Sequence, residues 1–131
     1  MALIKGIHHE ALKCADWANF EETCRFYGEV LGMQLVRTWG EGEKAGAMYA
    51  TGNSLIEIFA SGSAGRATGS INHLALATDD TDACIEAVRA AGYEITMEPR
   101  DIVIRSTPEF PARVGFARGP VGEEIEFFCE K

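Results

Sequence analysis

Two histidines and two glutamates stand at matching places in this chain. His9 opens "HEALKCAD" and His73 opens "HLALATDD", and the two runs close on Asp16 and Asp80. Further on, "LIEIFAS" is centred on Glu57 and "EIEFFCE" on Glu126. A lone histidine at the head of an apolar run is most simply a hydrogen-bonded core residue. A histidine and a glutamate that both recur ask for more, because packing does not need several donors and a metal does. Two imidazole nitrogens with two carboxylate oxygens suit a borderline divalent ion such as Zn²⁺, Ni²⁺, Co²⁺, Mn²⁺ or Fe²⁺. Such an ion polarises a bound oxygen and lets a neighbouring carboxylate move a proton.

The elements that must position these residues are also written twice. After Asp16, "WANFEETCRFYGEVLG" puts Phe20, Cys24, Tyr27 and Leu31 on one face of a helix. Asp16 or Asn19 can cap its start, and Gly32 suits its left-handed end. After Asp80, "TDACIEAVRAAG" repeats the plan, with Ala83, Ile85, Val88 and Ala91 on the apolar face and Gly92 closing it. Strand-like runs follow each helix: "MQLVRTW", "GAMYAT" and "SLIEIFA", then "YEITMEP", "RVGFARG" and "EEIEFFCE". The expected fold class is therefore α+β, two βαβββ modules forming a cupped mixed sheet. The modules span about 4–60 and 71–130, joined by a Gly- and Ser-rich linker of about 61–70, within one domain of 1–131. The two prolines of "RDIVIRSTPEFPA" argue against a strand there and favour a mobile loop.

Alternation along strands assigns the faces. His9 shares a face with Ala11, and His73 with Ala75 and Ala77; Leu12, Leu74 and Leu76 point the other way, beneath the helices. Ile56, Ile58, Ile125 and Phe127 take the helix side, leaving Glu57 and Glu126 on the side of the histidines. Brought together, the two half-sheets would curl around four donors, and burying both carboxylates would be costly without a cation. His8 has the opposite parity and is expected to be structural or to support the ligand beside it. Glu10, Glu123 and Glu124 look like surface charges. Trp17, Trp39, Tyr49 and Phe59 look like core or pocket wall.

Bulk properties narrow the field. The 131 residues are 47% hydrophobic and 24% charged, an ordinary globular mixture. With 12 Lys+Arg against 20 Asp+Glu, the net charge of −8 argues against nucleic acid, although a local cation can still hold a small anion. No stretch is long and apolar enough for a bilayer, and no signal peptide is legible, so a cytoplasmic protein with no membrane partner is expected. The four cysteines are scattered and read as reduced thiols.

"HHEALKCAD", "FYGEVLGMQLVRT", "LIEIFAS", "NHLALATDD" and "GPVGEEIEFFCEK" run from about Ile4 to Glu130. On these motifs the chain resembles the vicinal oxygen chelate superfamily, the glyoxalase/bleomycin-resistance/dioxygenase group. The resemblance implies paired βαβββ modules around one divalent metal, with His9, Glu57, His73 and Glu126 standing where bacterial glyoxalase I has its ligands, and with nickel or zinc favoured. Extradiol dioxygenases and fosfomycin-modifying members use two histidines and one glutamate, so the extra Glu57 points to the isomerase or lyase branch. The implied activity is that of a glyoxalase I-like lyase or isomerase in methylglyoxal detoxification. It would convert the hemithioacetal of a 2-oxoaldehyde and a thiol through an enediolate. Glu126 is the first choice for base and Glu57 the second, and Lys13, Arg37 or Arg105 would hold a substrate carboxylate. Lys13 replaces an arginine of the glutathione cradle, and Ser61 stands where an asparagine is common, which leaves the thiol open. The alternatives are an epimerase, an extradiol dioxygenase or a small-molecule-binding resistance protein. The assembly implied is a homodimer with sites at the interface.

Overall fold

The computed structural model describes residues 7–61, 73–104 and 108–131. The chain divides into two compact units, Met1–Ala64 and Gly65–Lys131. The first contains β1 (His9–Lys13), α1 (Trp17–Arg25), β2 (Gln34–Trp39), β3 (Gly46–Ala50) and β4 (Leu55–Phe59). The second contains β5 (Leu74–Ala77), α2 (Thr81–Ala90), β6 (Ile95–Ile104), β7 (Phe110–Arg118) and β8 (Glu124–Glu130). Each unit is a βαβββ module with one mixed four-stranded sheet, in the orders β1-β4-β3-β2 and β5-β8-β7-β6. In both, the first and last strands pair in parallel and the other pairs are antiparallel. The fold class is α+β, as the repeat predicts.

The helices form where the sequence caps them. The Asp16 carboxylate accepts from the Asn19 N–H at 2.9 Å, and Asp80 accepts from the Ala83 N–H at 3.0 Å, each satisfying a donor of the first turn. The first helix ends in a π-helical turn, Phe26–Val30, before Gly32 reverses the chain at φ +74°. That turn rotates Phe26 as well as Tyr27 into the core, where both are fully buried with Ile56 and Ile58. In the second unit Ile85 and Val88 are buried with Ile125 and Phe127, but Ala83 and Ala91 are exposed and the buried Thr81 takes their expected place. The Thr81 hydroxyl donates to the Arg113 carbonyl at 2.9 Å, so a polar residue is accommodated there without an unmet hydrogen bond. Gly115 lets α2 approach the sheet: a Cβ there would lie 2.8 Å from Ile85 Cγ1.

The proline-rich stretch differs from expectation. Ile95–Ile104 and Phe110–Arg118 pair as a long hairpin, and Pro99 and Pro111 lie inside its strands. Pro99 falls at a register shift on the edge strand β6, where no ladder donor is required. Pro111 sits near the start of β7, and its carbonyl is taken by the Lys131 N–H at 3.1 Å. Of the stretch 100–112, residues 100–104 and 110–112 are therefore strand, Pro108 and Glu109 lie between the strands as a loop residue would, and 105–107 lie outside the described residues.

Arg113 ties α2 to this hairpin. Its guanidinium forks onto Asp82 at 2.6 and 2.8 Å and reaches Asp101 at 3.2 Å. The hydrogen bonds from Arg113 hold the Asp82 carboxyl below the usual carboxylate range. A carboxyl whose folded pKa is depressed contributes stability above its unfolded pKa and loses it as pH falls through the folded one. Asp82→Asn should accordingly lower Tm at neutral pH, and the difference from the parent should vanish in acid. Thermal melts across pH check this; equal Tm values at neutral pH would show that the pair contributes nothing.

Candidate metal centre

Register brings each histidine to its glutamate. In the first unit Glu57 pairs with Ala11 on β1, so His9 is the diagonal neighbour two residues before. In the second, Glu126 pairs with Ala75 on β5, and His73 is two residues before that. The methyl side chains of Ala11 and Ala75 leave the space through which each imidazole reaches its carboxylate. His9 Nε2 lies 3.4 Å from Glu57 Oε1, and His73 Nε2 lies 3.2 Å from Glu126 Oε1. The sequence-level assignment of faces therefore holds in both units, with the same nitrogen presented in each.

These separations fit the metal hypothesis. Two ligands about 2.1 Å from one ion are about 3.0 Å apart at a right angle and about 3.4 Å apart at a tetrahedral one. Both pairs have that bite. The carboxylates are sheltered, at 15% and 12% side-chain exposure, whereas the imidazoles are 39% and 35% exposed, so an ion can reach the pair from the open side. Among the described residues no group of three or more His, Cys, Asp or Glu side chains gathers at one point. Each pair by itself therefore offers one nitrogen and one oxygen donor.

The surroundings of each pair are apolar. Met48 lies across from Glu57 on β3, and Phe116 lies across from Glu126 on β7. His73 meets the Phe116 ring edge to face, with centroids 5.6 Å apart. On the face of Glu57, Trp39 packs against Phe59 at 5.9 Å, and its indole lies so close over Gly46 that a Cβ there would be 2.1 Å from it. Of these neighbours, Trp39 and Phe59 were expected as core or pocket wall. Trp17, by contrast, is 48% exposed and meets Phe20 at a tilt of 42°.

The cations divide in a way alternation alone does not give. Lys13 pairs with Phe59, and Arg37 pairs with Met48, so both lie on the face of Glu57. Arg37 gets there because β2 carries a register shift between Leu35 and Arg37: Leu35 pairs with Tyr49, on the helix side. The guanidinium Nη1 is 3.3 Å from Met48 Sδ, and among the described residues neither Arg37 nor Lys13 has a carboxylate partner. Arg105 lies outside the described residues. The Ser61 hydroxyl donates to the Glu43 carbonyl at 2.9 Å.

Glu123 has a larger part than the sequence suggested, and His8 touches the residue beside it, in line with a structural or supporting place. Glu123 is no free surface charge: its Oε1 accepts from the Val121 N–H at 3.0 Å and its carboxylate folds over Gly119, shaping the turn that launches β8 and Glu126. His8 contacts His9 directly, Nδ1 to Nδ1 at 2.9 Å. The cysteines are free, as expected, and burial pushes the Cys24 thiol above its ordinary range, which makes it a poor nucleophile. No helix among the described residues is long and apolar enough to cross a membrane.

Paired βαβββ units, each presenting an imidazole beside a carboxylate on the face away from its helix, define the class of this protein. The chain belongs to the Glyoxalase/Bleomycin resistance protein/Dioxygenase superfamily, which residues 6–127 match. It is 30% identical to a lactoylglutathione lyase from Haemophilus influenzae, over 95% of this chain and 93% of that protein. Among solved structures, a glyoxalase I variant from Zea mays matches with a TM-score of 0.70 at 25% identity, over 92% of this chain and 43% of that one. An antibiotic binding protein from Streptomyces matches over the whole of both chains, with a TM-score of 0.72 at 17% identity, and shares the fold.

Proposed function

We propose that this protein is a glyoxalase I-like lyase or isomerase in which His9, Glu57, His73 and Glu126 together hold one divalent ion, nickel or zinc, in a homodimer with sites at the interface. The observation that carries the reading is the repeated pair: the same imidazole nitrogen lies at ligand-to-ligand distance from a sheltered carboxylate, at the same register, in both units. Likeness to a lactoylglutathione lyase over nearly the full length of both proteins supports it. The two modules then act as a single domain.

When bound, the ion supplies Lewis-acid polarisation of the two adjacent substrate oxygens. The chain's own residues do the rest. Glu126 takes the proton from the carbon bearing the hydroxyl and sulfur of a hemithioacetal, which leaves an enediolate. It returns the proton to the adjacent carbon while the hydroxyl proton passes from the first oxygen to the second, so the product is the 2-hydroxy thioester with no net change of atoms or electrons. Glu126, which pairs with Phe116 on the neighbouring strand and is the more buried of the two carboxylates, is the first candidate for base; Glu57 is the second. Lys13 and Arg37, on the face of Glu57 and without carboxylate partners among the described residues, would hold a substrate carboxylate. Lys13 offers a point charge rather than the bidentate fork of an arginine, which favours a thiol carrying a single carboxylate over one needing a fork.

The deciding experiment is metal analysis followed by turnover of methylglyoxal with a panel of thiols. Turnover is expected with at least one small carboxylate-bearing thiol, and its complete absence in metal-loaded protein would remove the glyoxalase reading. Arg37→Ala and Lys13→Ala should raise KM about 10-fold or more with kcat little changed, as for loss of a charged contact remote from the reacting carbon.

A further inference from the structure

We infer that His8 is a positioning residue for the metal: its ring accepts a hydrogen bond from His9 and fixes which nitrogen of His9 faces the ion. This rests on the metal reading above and adds a residue to it. His8 Nδ1 and His9 Nδ1 are 2.9 Å apart, with the rings edge to face at 83° and centroids 5.1 Å apart. Two ring nitrogens at that distance must be one donor and one acceptor. The other nitrogen of His9, Nε2, faces Glu57 at 3.4 Å.

A ligating nitrogen must present its lone pair, so a neutral His9 that binds through Nε2 carries its single proton on Nδ1. That N–H donates to His8 Nδ1, and His8 carries its own proton on Nε2. If Nε2 of His9 is instead protonated towards Glu57, the hydrogen bond runs the other way. The two rings hold two protons in either arrangement, so loading the ion changes the direction of the bond and not the charge of the pair. A ligand histidine whose second nitrogen is engaged in this way is held in tautomer and in ring orientation.

The backbone keeps His8 in place for this. Its carbonyl accepts from the Leu55 N–H at 3.1 Å and from the Ser54 hydroxyl at 3.2 Å, which fastens the start of β1 to the turn before β4. That turn is itself closed by Thr51, whose hydroxyl accepts from the Ser54 N–H at 3.1 Å. His8 is thereby anchored from the strand that carries Glu57.

The test is Zn²⁺ binding to metal-free protein by chelator competition, with nitrogen-15 imidazole spectra of the zinc-loaded form. His8→Ala should weaken Zn²⁺ binding about 10- to 100-fold, and His8→Asn, whose amide oxygen can accept in place of Nδ1, should recover most of it. The spectra should place the His9 proton on Nδ1, hydrogen-bonded in the parent and in His8→Asn but not in His8→Ala. Unchanged zinc affinity in His8→Ala, alongside its loss in His9→Ala, overturns this inference and leaves the metal centre standing. Weakened binding that His8→Asn does not rescue overturns the acceptor role. Failure of the parent protein to bind either Zn²⁺ or Ni²⁺ in the same competition overturns both readings.

Discussion

Metal analysis of the parent protein should find one divalent ion per chain, and either His9→Ala or His73→Ala should reduce that figure almost to zero. The expectation follows from the bite of the two pairs. Each offers one nitrogen and one oxygen, at 3.4 Å and 3.2 Å, and within the described residues neither has a third donor. Two ligands alone hold a first-row ion weakly, whereas four approach a closed set. If both pairs serve one ion, loss of either histidine disables the whole site. If they serve separate ions, each variant keeps half of the bound metal, and the one-ion reading fails. Stability gives an independent readout, because free metal at 100 times Kd should add about 2.7 kcal/mol to the folded state. That gain should appear as a rise in Tm for the parent and be absent in both variants.

The second large effect belongs to Glu126. Glu126→Gln keeps the shape of the side chain and an oxygen that can still face the ion, but removes the basic carboxylate. Loss of a general base costs about 10²- to 10⁴-fold in rate, so kcat for hemithioacetal isomerisation should fall by that order in protein saturated with metal. Because the same residue is a proposed ligand, bound metal must be measured in the same preparation, and kcat expressed per ion. A variant with full metal and undiminished kcat would transfer the base to Glu57, where Glu57→Gln should then give the larger loss.

Much of this was legible in the residues. The His and Glu repeat, the capping aspartates and the Gly32 and Gly92 chain reversals are local signals, and alternation with a period of two sets the face of every residue in an unbroken strand. That is why the sequence alone puts His9 with Glu57, and His73 with Glu126, on a common face of each half. Local signals fail where a strand breaks its own period. Leu35 and Arg37 have the same parity, yet the register shift between them sends Leu35 to the helix side and Arg37 to the side of Glu57. Pro108 and Pro111 argue for a loop across 100–112, yet Pro111 is taken into the start of β7 while Pro108 lies between the two strands.

The sequence by itself determined which side chains can donate, on which face each lies, and that the βαβββ plan occurs twice. Tertiary structure decided the distances: that Glu57 falls opposite Ala11 and Glu126 opposite Ala75, that His8 touches His9, and that Glu123 shapes a turn instead of meeting solvent. The reason is physical. Side-chain direction is a property of one strand, whereas pairing register is chosen by residues far apart in the chain, and a slip of one position would turn every partner to the opposite face.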